Sequence, residues 1–171
     1  MTISSAALRV ARLLKVADQK VVFAESCTGG LVSGALTKLP GISNHHCGGV
    51  VVYRNETKIA YLDIPASLLE RPGPVSREVA ERMALAVLEK TPEADVAVSV
   101  TGHLGPHAPP KLDGLVFATI AWRTPTKKSD QRTFTRQIRC PRSATRAIRQ
   151  RAVVLGVLEF LGDELQTRRP A

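Results

Sequence analysis

Aromatic side chains are scarce in this chain. Four Phe, two Tyr and one Trp make up 4% of its 171 residues, so the core must be assembled mainly from Val, Ala, Leu and Ile. Long apolar runs are missing as well. None approaches the roughly 20 residues that a membrane helix needs. Arg9, Arg12 and Lys15 interrupt the first apolar segment, which excludes the core of a secretory leader and sets the expectation of a cytoplasmic protein. Cysteine is limited to Cys27, Cys47 and Cys140, an odd number at wide spacing with no CxxC pair, so a disulfide framework is not expected. Acidic residues are few: 15 Asp and Glu stand against 24 Lys and Arg, for a formal net charge of +9.

What is present is the composition of a packed globular protein. Hydrophobic residues account for 44% and charged residues for 23%, which excludes a wholly disordered chain. The length suits one domain over 1–171, with an ordered core at about 5–165. The basicity is local. Residues 1–122 hold 12 Lys/Arg against 11 Asp/Glu, whereas 123–171 hold 12 against 4. Such a segment suits a nucleic acid, a phosphate-bearing small molecule, or simply a solvated basic face. Nucleic acid is disfavoured, because Phe134 and Phe160 are the only aromatics there and single-strand binders stack bases on rings.

Hydrophobic periodicity predicts a helix over Ala6–Val16 capped by Ser4 or Ser5, a buried strand at Lys20–Ala24, and a small-residue helix over Leu31–Leu39 stopped by Pro40-Gly41. A strand at Gly48–Tyr53, a helix at Glu56–Leu62 capped by Asn55, a connecting region through Pro72–Pro74, and a helix at Arg77–Lys90 capped by Ser76 follow. Then come strands at Ala94–Val100, Leu115–Arg123 and Arg132–Ile138, a loop at 101–114, a turn at 124–130, and a closing helix from Ser143 to about Leu165 that frays after Asp163. The order implies a three-layer α/β/α domain with a mixed sheet of about five strands. The last three connections are too short for crossover helices, so those strands should pair antiparallel. The Leu, Val and Ala stripe of the last helix reads as core or as a dimer face, which leaves homo-oligomerisation open.

Three segments carry chemistry. The first is the strand–S-C-T-G-G–helix run at 26–30. A Gly29-Gly30 turn at a helix start leaves backbone N–H groups free, the helix dipole adds positive potential, and Ser26 and Thr28 supply hydroxyls. That suits a phosphate or an oxyanion, although Thr28 can equally be an N-cap and the glycines mere turn formers. Cys27, at the same helix start, is an alternative nucleophile. The second is Y-R-N-E-T-K at 53–58. Lys58 in a first helical turn opposes the dipole, which invites a functional account: a lysine of lowered pKa as general base toward a serine, with Tyr53 relaying the proton. The third is R-S-A-T-R, where Arg142 and Arg146 lie four apart at a helix start, stacked on one face and fit to grip a phosphate, with Arg149 continuing the row. His45, His46 and Cys47 are consecutive, and His103 and His107 share the 101–114 loop. None has the spacing of a zinc site.

The segments A-E-S-C-T-G-G (24–30), L-P-G-I-S (39–43), G-G-V-V-V-Y-R-N-E-T-K (48–58), P-V-S-R-E-V-A-E-R-M-A (74–84), A-D-V-A-V-S-V-T-G (94–102) and R-x-x-x-R (142–146) run in order over nearly the whole chain. In this they resemble the CinA C-terminal domain family, which includes stand-alone nicotinamide-nucleotide amidohydrolases. The resemblance implies hydrolysis of the carboxamide of nicotinamide mononucleotide to nicotinate mononucleotide and ammonia, without metal or organic cofactor. It implies Ser26 as nucleophile, Lys58 as its base and Tyr53 as assistant. Backbone N–H groups of Cys27, Thr28, Gly29 and Gly30 would stabilise the oxyanion, and Thr28, Thr101, Gly102, Arg142 and Arg146 would line the substrate site. The partner would be a phosphorylated nucleotide. The family pattern after Thr101-Gly102 is not kept. Where it usually reads I-A-G-P, a Gly-Gly pair and K-P-V-G, this chain has H-L-G-P-H-A-P-P-K-L-D-G, and C-P-R replaces the usual G-D-R before the last helix. A stiffer loop 103–113 raises the alternative of a pseudoenzyme that binds a ligand or partner, and makes His103 a candidate acid or base.

Overall fold

The computed structural model describes residues 1–124 and 132–168. Helix α1 spans Ile3–Ala17; Thr2 caps it, with Ser5 returning the bond to the Thr2 N–H. The expected cap at Ser4 or Ser5 is thus displaced, since Ser5 is the third residue of a capping box. Strand β1 (Val21–Glu25) is buried throughout, as befits a central strand covered on both faces. It is followed by α2 (Leu31–Thr37), a 3-10 turn at Ile42–Asn44, β2 (His46–Val51), α3 (Asn55–Leu62), a short α4 (Ala66–Glu70), and α5 (Arg77–Lys90) capped by Ser76 as expected. The chain closes with β3 (Val96–Gly102), β4 (Leu115–Trp122), β5 (Arg132–Arg139) and α6 (Arg146–Thr167).

The sheet order is β2-β1-β3-β4-β5. β1 pairs parallel with both β2 and β3, and β4 pairs antiparallel with β3 and β5, so the mixed sheet is as expected. Alternation along the strands divides the core. Val21, Phe23, Val96, Val98, Val116 and Ile120 pack beneath α1, α2 and α6. Val22, Ala24, Ala97 and Ala121 face α3, α4 and α5 through Leu62, Leu69, Met83 and Val87. This gives three layers, and the apolar stripe of α6 (Val153, Val157, Leu158, Leu161) belongs to the first core.

Several boundaries differ from the periodicity. Asn55 opens α3 rather than capping it; the Arg54 N–H is satisfied by the Thr57 hydroxyl at 3.2 Å. Thr101 and Gly102 extend β3 because they pair with Phe117 and Val116, and a Cβ at Gly102 would sit 2.5 Å from a Val116 methyl. The connecting region holds α4, five residues too short for a clear period. The last helix starts at Arg146 because Thr145 caps it, and it runs to Thr167 instead of fraying after Asp163, where Arg9 pairs with Asp163 at 2.9 Å. Residues 125–130 of the expected turn lie outside the described residues. No helix among the described residues is long and apolar enough to cross a membrane.

Candidate active site

The carboxyl ends of β1, β2 and β3 meet where β1 has one neighbour on each side, the place in an open α/β sheet where a crevice forms. Two backbone bonds align these ends: Ser26 N–H donates to Val100 O at 3.0 Å, and Val52 N–H donates to Glu25 O at 2.8 Å. A cavity of about 200 Å³ opens there. Ser26, Cys27, Tyr53, Lys58, Thr101, Gly102 and Arg146 all line it.

Lys58 is 2% exposed. Its Nζ lies 3.3 Å from Ser26 Oγ, 2.9 Å from Val52 O and 3.3 Å from Tyr53 O, and it makes no ion pair among the described residues. Burial pushes this amine below its ordinary pKa; Cys27 and Glu56 pull weakly the other way. A neutral amine has two hydrogens and one lone pair. In that form the two carbonyls would take the hydrogens and the lone pair would be left for the Ser26 hydroxyl proton. The Tyr53 ring is half exposed at the rim, and its hydroxyl accepts from Arg146 Nη2 at 2.6 Å. Arg146 also donates to Gly105 O.

The glycine turn works differently from the expectation. Glu25, 1% exposed, sends its carboxylate to the start of α2, where Oε2 accepts from Gly30 N–H (2.9 Å) and Val32 N–H (3.2 Å) and Oε1 from Ser33 N–H (2.8 Å). The Gly29 N–H goes to Ser26 O at 3.0 Å. The positive end of α2 is therefore occupied by the protein's own anion, and Gly29 and Gly30 serve the turn through φ of +64° and +93°. Among the described residues, the N–H groups of Cys27 and Thr28 make no backbone hydrogen bond, and of the two only Cys27 stands in the cavity wall. Thr28 is fully buried with its hydroxyl unpartnered among the described residues; it neither caps α2 nor lines the cavity.

Cys27 is 3% exposed, and burial pushes its thiol up to about 12, so it is protonated at neutral pH and does not serve as the nucleophile. Arg142 and Arg146 do not share a helix face. Arg142 lies in the turn before α6, donates to Pro110 O at 3.2 Å and stands outside the Ser26 cavity. Arg149 is not a solvated residue. It is 5% exposed and donates to Leu104 O, Pro141 O, Arg142 O and both oxygens of Asp113. The guanidinium beside Asp113 holds that carboxyl below the usual carboxylate range.

His46 accepts from Gly48 N–H through Nδ1 (3.0 Å), which assigns its Nε2–H as donor to Ser33 Oγ at 2.8 Å. It is therefore no base toward that serine. Among the described residues no group of three or more His, Cys, Asp and Glu is placed to hold a metal ion. His103 does line the Ser26 cavity, as do Asn55, Pro74, Val75 and Leu104. Asn55 belongs to the Y-R-N-E-T-K segment and was within reach of sequence reasoning. Glu25 was missed and Arg149 was read as part of the phosphate-gripping row, because nothing local distinguishes either from an exposed charge.

A family model described as the CinA C-terminal domain matches residues 3–165. The chain belongs to the CinA C-terminal domain family. A CinA-like protein of Thermosynechococcus vestitus is 46% identical over 114 residues, which is 66% of this chain and 27% of that protein. A CinA-like protein of Desulfotalea psychrophila is 57% identical over 83 residues, 48% of this chain and 20% of that one. The matched part of the chain thus spans about a fifth to a quarter of the length of these relatives. Among solved structures, a competence/damage inducible protein of Agrobacterium tumefaciens superposes with a TM-score of 0.86 at 32% identity, covering 96% of this chain and 95% of that one. A CinA superfamily protein of Klebsiella pneumoniae gives 0.88 at 24% identity over 98% and 99%, which bears on the CinA fold alone.

Proposed function

We propose that this domain hydrolyses a carboxamide through a Ser26–Lys58 pair, its substrate being nicotinamide mononucleotide and its products nicotinate mononucleotide and ammonia. The observation that carries the reading is the buried Lys58 amine, 3.3 Å from Ser26 Oγ and without a carboxylate partner among the described residues. Burial favours its neutral form, the form that can take a proton.

The steps follow from the positions. Ser26 Oγ attacks the amide carbon while Lys58 Nζ removes its proton. The oxyanion is held by the Cys27 N–H, the elbow amide in the cavity wall. Lys58 then passes the proton to the departing nitrogen, which leaves as ammonia, and an ester to Ser26 remains. Neutral again, Lys58 takes a proton from water, the water oxygen attacks the ester, and the acid is released as the proton returns to Ser26 Oγ. Arg146, at the rim with Tyr53, is the cation placed to meet the substrate phosphate, because the start of α2 already holds Glu25. Arg149 holds the loop after β3 at Leu104 and Asp113, and a cavity of about 200 Å³ remains beside Ser26 with His103 and Leu104 in its wall, which supports an enzyme over the ligand- or partner-binding pseudoenzyme.

The test is ammonia release from nicotinamide mononucleotide by the purified protein, with Ser26→Ala as control. Serine-dependent release is expected. A folded protein that releases no ammonia, or that releases it equally without Ser26, overturns the reading.

A further inference from the structure

A second cavity of about 560 Å³ adjoins the first, and Leu104 and Arg146 stand in the walls of both. Small-molecule pockets usually measure about 300–1,000 Å³. The Ser26 cavity, at about 200 Å³, is below that range and the second is within it. A ligand that reacts at Ser26 and outgrows its cavity can continue past Arg146 into the second.

The walls of the second cavity divide by chemistry. Arg142, Thr145 and Arg146 supply polar groups, and Pro106, Ala108 and Pro110 supply apolar ones, with Arg142 bonded to Pro110 O at 3.2 Å. Arg149 is also there, but Asp113 neutralises it. Arg142 and Arg146 bond only to the carbonyls of Pro110 and Gly105 and to the Tyr53 hydroxyl, so neither has a carboxylate partner among the described residues. Two guanidinium groups that make no ion pair among the described residues, with Asp113 in the same wall acting on Arg142, suit phosphate oxygens, and the prolines suit the flat face of a heterocycle. The wall is also pre-built. Buried Arg149 holds the carbonyls of Leu104, Pro141 and Arg142 in place, which lowers the ordering cost of binding.

We propose that the second cavity is a subsite for a nucleoside diphosphate group, so that the ligand spanning both cavities is a pyridine nucleotide extended through its phosphate to a second nucleoside. The pyridine end of this proposal rests on the carboxamide reading of the Ser26 cavity; the nucleoside diphosphate subsite does not.

The experiment is calorimetric titration of ADP, and separately of orthophosphate, into the wild-type protein and Arg142→Glu, with thermal unfolding to confirm that the exposed substitution leaves the fold intact. One ADP per chain is expected, bound at least about tenfold tighter than orthophosphate and weakened at least about tenfold by Arg142→Glu. Absence of ADP binding up to about 1 mM overturns the subsite, as does an affinity indifferent to Arg142→Glu. Orthophosphate binding as tightly as ADP overturns it too, since that marks an anion site with no nucleoside recognition. In parallel, ammonia release is compared for nicotinamide mononucleotide and the dinucleotide NAD. Arg142-dependent ADP binding without ammonia from either leaves the subsite standing and removes the carboxamide reading. Mononucleotide turnover without ADP binding does the reverse.

Discussion

Glu25→Gln tests the most consequential difference between the glycine turn as read and as folded. The glutamine keeps the shape but replaces one carboxylate oxygen with an NH2 group. With the amide oxygen at the Oε2 position, the bonds from Gly30 and Val32 survive and Ser33 N–H faces a donor. One half-buried N–H then loses its acceptor, at about 1–3 kcal/mol. The two surviving bonds lose their charge assistance, at about 0.5–1 kcal/mol each. The expected loss is about 3 kcal/mol, or about 6–12 °C in Tm for a chain of this size. Circular dichroism melts measure it, and amide hydrogen exchange locates it at Gly30, Val32 and Ser33. Glu56→Gln, on an exposed side chain, is the control and should move Tm by no more than about 2 °C. A Glu25→Gln protein that melts within about 2 °C of wild type refutes the reasoning, because those N–H groups would then have another acceptor.

Four further outcomes are expected. Lys58→Met should lower ammonia release by about 10²–10⁴-fold with the fold retained, and Lys58→Arg should not rescue it, since a guanidinium stays protonated; kcat for both measures this. Wild-type turnover should rise with pH through the lowered pKa of Lys58 and level off above it, because only the neutral amine is a base; a rate that falls as pH rises through that range contradicts the assignment. Cys27→Ser should keep turnover within a few-fold and the wild-type native thiol should resist alkylation near neutral pH, its pKa being about 12. Asp113→Asn should sensitise residues 106–111 to limited proteolysis. In the wild-type protein the same loosening should begin only as pH falls through the depressed Asp113 pKa, because a carboxylate with a lowered folded pKa stabilises above its ordinary pKa and loses that contribution on protonation.

Local pattern carried much of the architecture. The apolar run V-V-F-A and the segment A-D-V-A-V-S-V marked the central strands, and the 3.6-residue stripe of α1 and α6 marked their buried faces. Short connections after β3 forced antiparallel pairing. The errors are at ends, where a capping hydroxyl decides: Thr2 and Thr145 each won over a nearby serine or arginine. The segments S-C-T-G-G and Y-R-N-E-T-K pointed to Ser26 and Lys58 because a lysine early in a helix is locally unfavourable. The arginine pair misled, since spacing of four places two side chains on one face only if both are in the helix, and Arg142 precedes it.

The sequence by itself determined the order of elements, the mixed sheet, and which short segments bear chemistry, because backbone propensity and side-chain period act over a few residues. Tertiary structure alone decided what each charge does. Lys58 meets Ser26 across 32 residues, Arg149 meets Asp113 across 36, and Arg146 meets Tyr53 across 93. Glu25 became a helix cap, Lys58 a buried amine with a lowered pKa and Arg149 an internal brace because the fold removed water from each and supplied one set of partners. The energy of a charged group depends on that local environment far more than on its neighbours in sequence.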